Sequence, residues 1–231
     1  MGVDLVELIK WYLVFLFSTS AHEAAHAWAA DRLGDDTGAR QGLVALNPQP
    51  HLMRSPVGMV LVPLLTFILG GWMIGWASTP YDPSWAKRHP RRAALMSAAG
   101  PAANLAIVLA AAFAMRLGTE WGALRIGSGG LGSLVVAREP DGLGAFLARM
   151  LSLSFSLNLL LGAFNLLPVP PLDGSALPLA VLPTGAARTY RDFLRQPVLA
   201  WGGLMLAWRV FDSIQGPLFR SAIGALHRVL S

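Results

Sequence analysis

His22, Glu23 and His26 form the run His-Glu-Ala-Ala-His inside a stretch that is otherwise almost free of charge. On a helix, residues four apart lie on one face, so two imidazoles at this spacing can bind one Zn²⁺. A carboxylate beside the first imidazole can hold a water against the ion and take its proton. In a polar segment such a trio would belong to a soluble hydrolase. In an apolar segment it points to hydrolysis inside a bilayer.

A catalytic zinc keeps three protein ligands and an open fourth position. The candidates for the third ligand are Asp173, His51, His89 and the acids of the loops. Asp173 is favoured, because it follows the break Pro168-Val169-Pro170-Pro171 at the end of an apolar run, and an acid at membrane depth is costly without a partner. Its other reading is as the N-cap of a short helix over 175–182. Glu23 has no Lys or Arg within a helical turn, which weakens a reading as half of an ion pair. His51, in a polar loop, is a candidate for supporting a ligand or the substrate; His89 reads as a headgroup contact and His227 as chemically idle. Asn104 and Asn165 are uncharged polar residues in apolar runs, expected to bond across helices, back a ligand or hold a substrate strand.

The elements that must position these groups are apolar. The chain has 231 residues, 54% hydrophobic and only 13% charged, where a soluble domain carries about a quarter charged. Crossing a bilayer takes roughly 20 apolar residues of helix, and five stretches approach that: 5–30, 56–77, 93–117, 143–167 and 197–214. The expected fold is an all-α multi-pass membrane domain over 1–231, with four to five apolar helices, a core over 5–183 and a C-terminal helix and tail over 197–231. Six tryptophans near segment ends, Trp11, Trp72, Trp76, Trp85, Trp201 and Trp208, read as interface anchors. The leading charges Asp4, Glu7 and Lys10 argue against a cleavable signal over the first stretch. Absence of cysteine excludes disulfides and thiolate metal sites.

The net charge of +5 comes mostly from arginines between apolar runs, the pattern of cytoplasmic loops rather than of nucleic-acid binding. The basic run Lys87-Arg88-His89-Pro90-Arg91-Arg92 and the later Arg188, Arg191 and Arg195 place two loops on the cytoplasmic side; 119–141 then falls outside. For His22 and Asp173 to meet at one depth, the first and fourth stretches must run in the same direction. One intervening stretch must therefore fail to cross. The second is the expected re-entrant one, since Pro63 and Gly70-Gly71 divide it, and broken backbone at membrane depth survives only inside protein or beside a wet cavity.

Three motifs taken together, His22-Glu23-Ala24-Ala25-His26, Gly100-Pro101-Ala102-Ala103-Asn104 and the run from Asn165 to Gly174, resemble the site-2 protease family of intramembrane zinc metalloproteases, peptidase family M50. The resemblance spans about 5–183 and is to the small form without PDZ or CBS domains. It implies one Zn²⁺ per chain held by His22, His26 and Asp173, Glu23 as general base, a transmembrane protein as substrate, and an integral protein of a bacterial or archaeal cell membrane with its site towards the cytoplasm. The family's edge-strand region is similar to Gly75-Trp76-Ala77, but Ser78-Thr79 stand where a basic residue is usual, and Leu52-Met53 replace the Ile-Asp that commonly follows the loop histidine. Two other classes use the same ligands: a membrane zinc-binding or transport protein, and a zinc hydrolase of lipid amides or esters. Oligomeric state and substrate identity are not encoded in these motifs.

Overall fold

The structure is a computed structural model that describes residues 4–230. Its frame is three long helices, α1 (Leu5–Arg32), α5 (Pro90–Glu120) and α6 (Gly142–Asn165). Helix α1 starts at Asp4, whose carboxylate accepts from the backbone N–H groups of Val6 and Glu7, satisfying donors that the first turn leaves unpaired. Helices α5 and α6 are long and apolar enough to cross a membrane. Helix α1 has 28 residues and α8 (Pro197–Leu230) has 34; both are long enough but less apolar.

Helix direction can be read from side-chain pairs. His26 and His22 of α1 bond Met96 and Asn104 of α5, so these two helices are antiparallel. Glu7 pairs with Arg149 at 2.7 Å, and Ser18 bonds Asn158, so α1 and α6 run the same way. This is the direction that the meeting of His22 with Asp173 requires.

Residues 33–89 begin and end at one end of α1: the Leu33 carbonyl accepts from both Trp85 Nε1 and Arg92 Nη1. In between, α2 (Pro48–Arg54) and the helical stretch 57–70 meet at a bend of 113°. The break falls at Ser55-Pro56, not at Pro63 as the sequence suggested. A π-helical turn (Val57–Leu61) leads into α3 (Val62–Gly70), with Pro63 inside it. Proline has no N–H to give the carbonyl four residues back; that carbonyl, of Met59, accepts instead from Tyr12 Oη of α1 at 3.2 Å. Helix α3 ends at Gly71 in the left-handed region (φ 72°), as the sequence suggested. The chain then returns alongside α1 through 73–81, a segment that is neither helix nor part of the sheet. Trp76 N–H donates to Gly58 O at 3.1 Å, and a Cβ on either Gly58 or Gly75 would come within 2.2 Å of the opposing backbone. The two glycines allow the returning segment to lie directly on the π turn.

Other parts go beyond the sequence reading. Within the loop 119–141, β1 (Leu124–Ile126) pairs antiparallel with β2 (Val135–Ala137), and Leu134 and Val135 are buried among α5, α6 and α8. The fifth apolar stretch does not stop at 214 but continues as α8 to Leu230. Trp11 and Trp85 are buried in protein rather than at an interface, Trp11 against Phe67 and Trp85 within a turn of α4 (Pro83–Arg88). The amphipathic α7 (Thr184–Leu194) packs on a 3₁₀ helix (Asp173–Ala180).

Candidate metal centre

His22 and His26 lie one turn apart in α1, both buried, with rings edge to face. Asp173 arrives from the 3₁₀ helix. A Cβ on Gly174 would lie 2.2 Å from Leu166 O, so only glycine lets the chain fold this tightly onto the end of α6 and turn Asp173 inward. Leu172, not Asp173, occupies the N-cap position of that short helix. Asp173 Oδ2 is 3.1 Å from His22 Nε2 and 3.3 Å from His26 Nε2.

The hydrogen bonds behind the rings fix their protonation. Asn158 Nδ2 donates to the Ser154 carbonyl and to Ser18 Oγ, leaving its Oδ1 to accept from Asn104 Nδ2 at 2.8 Å. That orients Asn104 Oδ1 towards His22 Nδ1, at 2.6 Å. His26 Nδ1 faces the Met96 carbonyl at 2.8 Å. Both partners only accept, so each Nδ1 carries a proton and, in the neutral imidazole that binds a metal, each Nε2 presents a lone pair. The two Nε2 atoms are 3.0 Å apart, facing each other and a carboxylate oxygen. Three acceptors so close repel unless a cation lies among them. Ligand atoms about 2.0–2.1 Å from a tetrahedral ion lie roughly 3.3 Å from one another, and the three donors, all within 4.8 Å of one another, fit that arrangement.

The space is kept clear from the α5 side. A Cβ on Gly100 would lie 2.4 Å from His26 Nε2 and 2.5 Å from His22 Nε2. Two residues in the site have roles without precedent in the motif reading. Thr79, on the returning segment, donates from Oγ1 towards Glu23 Oε2 at 2.8 Å and Glu23 O at 2.9 Å. Asn158 closes the polar chain through Asn104 to His22. An Asn inside an apolar run was the available signal for Asn158; Thr79 stood out only for its place beside Gly75-Trp76-Ala77, and its approach to Glu23 depends on the path of the bent segment.

Among the other expected residues, Asn104 does stand behind a histidine, fully buried. His51 does not join the cluster: it is 1% exposed within α2, and Nε2 donates to Ala45 O at 3.2 Å. Asn165 bonds its own helix at Leu161 O and is not brought to the imidazoles. His89 precedes α5, its ring beside Trp85.

The family model for peptidase family M50 matches residues 11–207. The chain belongs to peptidase family M50. It is 34% identical to "Putative zinc metalloprotease YwhC" of Bacillus subtilis over 75% of this chain and 70% of that protein. It is 30% identical to "Putative zinc metalloprotease Rip2" of Mycobacterium tuberculosis, over 76% of this chain but only 56% of that protein. No solved structure matches.

In this M50 chain Asn104 provides a direct test of the fixed tautomer. Partners behind metal-binding histidines typically contribute about 10–100-fold in metal affinity. Asn104→Ala is expected to weaken zinc binding within that range, measured by competition with a chelator of known affinity. Unchanged affinity would mean that His22 is oriented by something else.

Proposed function

We propose that this M50 chain is an intramembrane zinc metalloprotease that cuts peptide bonds in or near transmembrane segments of other membrane proteins. The observation that carries the reading is the convergence of the two Nε2 atoms and the Asp173 carboxylate on one point, with Glu23 one residue from a ligand on a helix bonded to both candidate membrane spans. His22, His26 and Asp173 hold one Zn²⁺. Bound there, zinc would supply Lewis acidity, lowering the pKa of water at the centre towards about 7 and polarising a carbonyl brought to it.

The protein's own groups do the rest. Glu23 accepts the proton of the attacking water and later delivers it to the leaving amine. Thr79 Oγ1 holds Glu23 Oε2 in place, and because Thr79 sits on the returning segment, it ties the base to the place where substrate would lie. Peptide bonds of an intact transmembrane helix are hydrogen-bonded and shielded, so the substrate must unwind before attack. Substrates therefore carry helix-breaking residues, and residues 73–81 receive the opened chain by backbone pairing. By the positive-inside rule the basic run 87–92 is cytoplasmic; α1 then runs inwards, and the site opens to water on that side.

Zinc content of purified protein, wild type beside Asp173→Ala, tests the centre. The expected result is about one zinc per wild-type chain, as in three-ligand catalytic sites, and a sharp fall in the variant. Equal zinc in both would place the third ligand elsewhere.

A further inference from the structure

The basic run does more than mark topology. Helix α5 is a candidate span that begins at Pro90, so residues 87–92 lie at one membrane surface whichever way the protein faces. There a cavity of about 360 Å³ is lined by Arg88, His89, Pro90, Arg91, Arg92 and Leu182. Lys87, Arg88, Arg91 and Arg92 are four cations with Asp82 as the one acid over 79–95; the Asp82 carboxylate caps α4 at the Ser84 and Trp85 N–H groups and lies 3.6 Å from Arg88. Arg92 donates to the Leu33 carbonyl, which neutralises nothing.

The first turn of α5 adds to this positive field, since His89 at its cap position makes no side-chain capping bond. On α7, Arg191 is buried and donates from Nη1 to Ala86 O of α4. Its Nε and Nη2 have no hydrogen-bond partner among the described residues, and the nearest acid, Asp192, is 3.9 Å away.

Leu182 is also the wall of a second cavity, about 530 Å³, whose other lining residues are Ala186, Thr189, Tyr190 and Phe193. It is mostly apolar, and Phe193 and Val181 beside it are exposed to 48% and 80%. A basic cavity at headgroup level thus adjoins an apolar one along an amphipathic helix. We propose that the two cavities are a single binding site for an anionic phospholipid, with the phosphate among Arg88, Arg91 and Arg92 and an acyl chain passing Leu182 onto the Phe193 face. Four cations against one acid leave a net positive cluster, which selects a net-anionic headgroup over a zwitterionic one. The site also touches the metal centre's support: Tyr190 Oη donates to Ser175 O, two residues after Asp173.

The test uses the full chain, delipidated in non-ionic detergent and titrated with phosphatidylglycerol or phosphatidylcholine, with bound lipid counted by native mass spectrometry and thermal midpoint as a second readout. Wild type is expected to retain phosphatidylglycerol roughly tenfold better than phosphatidylcholine. The triple variant Arg88→Gln, Arg91→Gln, Arg92→Gln should lose that preference, while Arg125→Gln with Arg138→Gln, basic residues at the β hairpin, should keep it. Phe193→Ser should weaken retention of both lipids without touching the charges, which serves if the triple variant does not fold. Zinc content should be unchanged throughout. An undiminished preference in the triple variant, or equal retention of the two lipids by wild type, would overturn the proposal. So would inorganic phosphate alone raising the midpoint as much as the lipid does, because that would make the cavity an anion site with no use for an acyl chain.

Discussion

Gly100→Ala is expected to give a folded membrane protein that binds no zinc. Alanine in place of glycine inside a helix would ordinarily favour the helix by about 1 kcal/mol, so α5 itself has no reason to fail. The added methyl, however, would sit 2.4–2.6 Å from Nε2 of both histidines and Cε1 of His22, closer than any real contact. The rings cannot simply turn aside. His22 is held at Nδ1 by Asn104 and His26 by the Met96 carbonyl, and both acceptors belong to the same α5 that carries the methyl. Moving the rings breaks those bonds; moving α5 pulls the bonds with it. In either case the two Nε2 atoms no longer converge on Asp173. The measurement is zinc per chain beside the thermal midpoint and helical content. Normal helicity with zinc lost supports the geometry. Full zinc occupancy in the alanine variant would show that α5 does not pack against the imidazoles in this way.

Much of this centre was legible because it is local. A histidine spacing of four and a glutamate between them specify one helical face without tertiary information, and a proline-rich break places Asp173 at a helix end. That the second stretch is broken could also be inferred, since two ligands that must share a depth restrict the number of crossings between them, and the structure bends it by 113°. Features set by register could not. Asn158 and Asn165 lie seven residues apart on nearly the same face of α6, separated by roughly 10 Å of rise. Which of them stands level with His22 depends on how α6 slides against α1, and that is fixed at a distance by the Glu7–Arg149 pair. The sequence reading singled out Asn165; the structure puts Asn158 at the right depth. The role of Thr79 was hidden for the same reason. The Thr79 hydroxyl reaches Glu23 only because Gly58 and Gly75 let the returning segment run flush along the π turn, and nothing in residues 78–79 announces that path. Trp11 and Trp85 read as interface anchors because aromatic residues near segment ends usually are, whereas Phe67 of the bent second stretch covers Trp11, and α4 packs its own Trp85 against Ala30 of α1 and Met96 of α5.

Glu23→Gln is expected to abolish proteolysis and leave zinc in place. The glutamine amide nearly matches the carboxylate in shape and can keep its contact with Thr79 Oγ1, and Glu23 is not among the three converging donors, so neither the fold nor the ligand set has cause to change. What disappears is the ability to accept a proton from water and return it to the leaving amine, and positioned acid–base groups contribute roughly 10²–10⁴-fold to rate. The experiment reconstitutes wild type and variant, matched for zinc, into vesicles with a membrane-protein fraction, and identifies new chain ends by mass spectrometry. New ends inside transmembrane segments with wild type, absent with the variant, are the expected pattern. They should cluster near glycine, proline or polar residues, because only an unwound segment can pair with the returning chain at 73–81 and bring its carbonyl to the centre. The same ends from both proteins would remove Glu23 from the mechanism. Loss of lipid amides or esters that depends on Glu23, with no new protein ends, would keep the hydrolytic centre but overturn the peptide substrate. The centre alone is indifferent to that choice; the segment that returns along α1, holding the base through Thr79, is what favours an extended polypeptide.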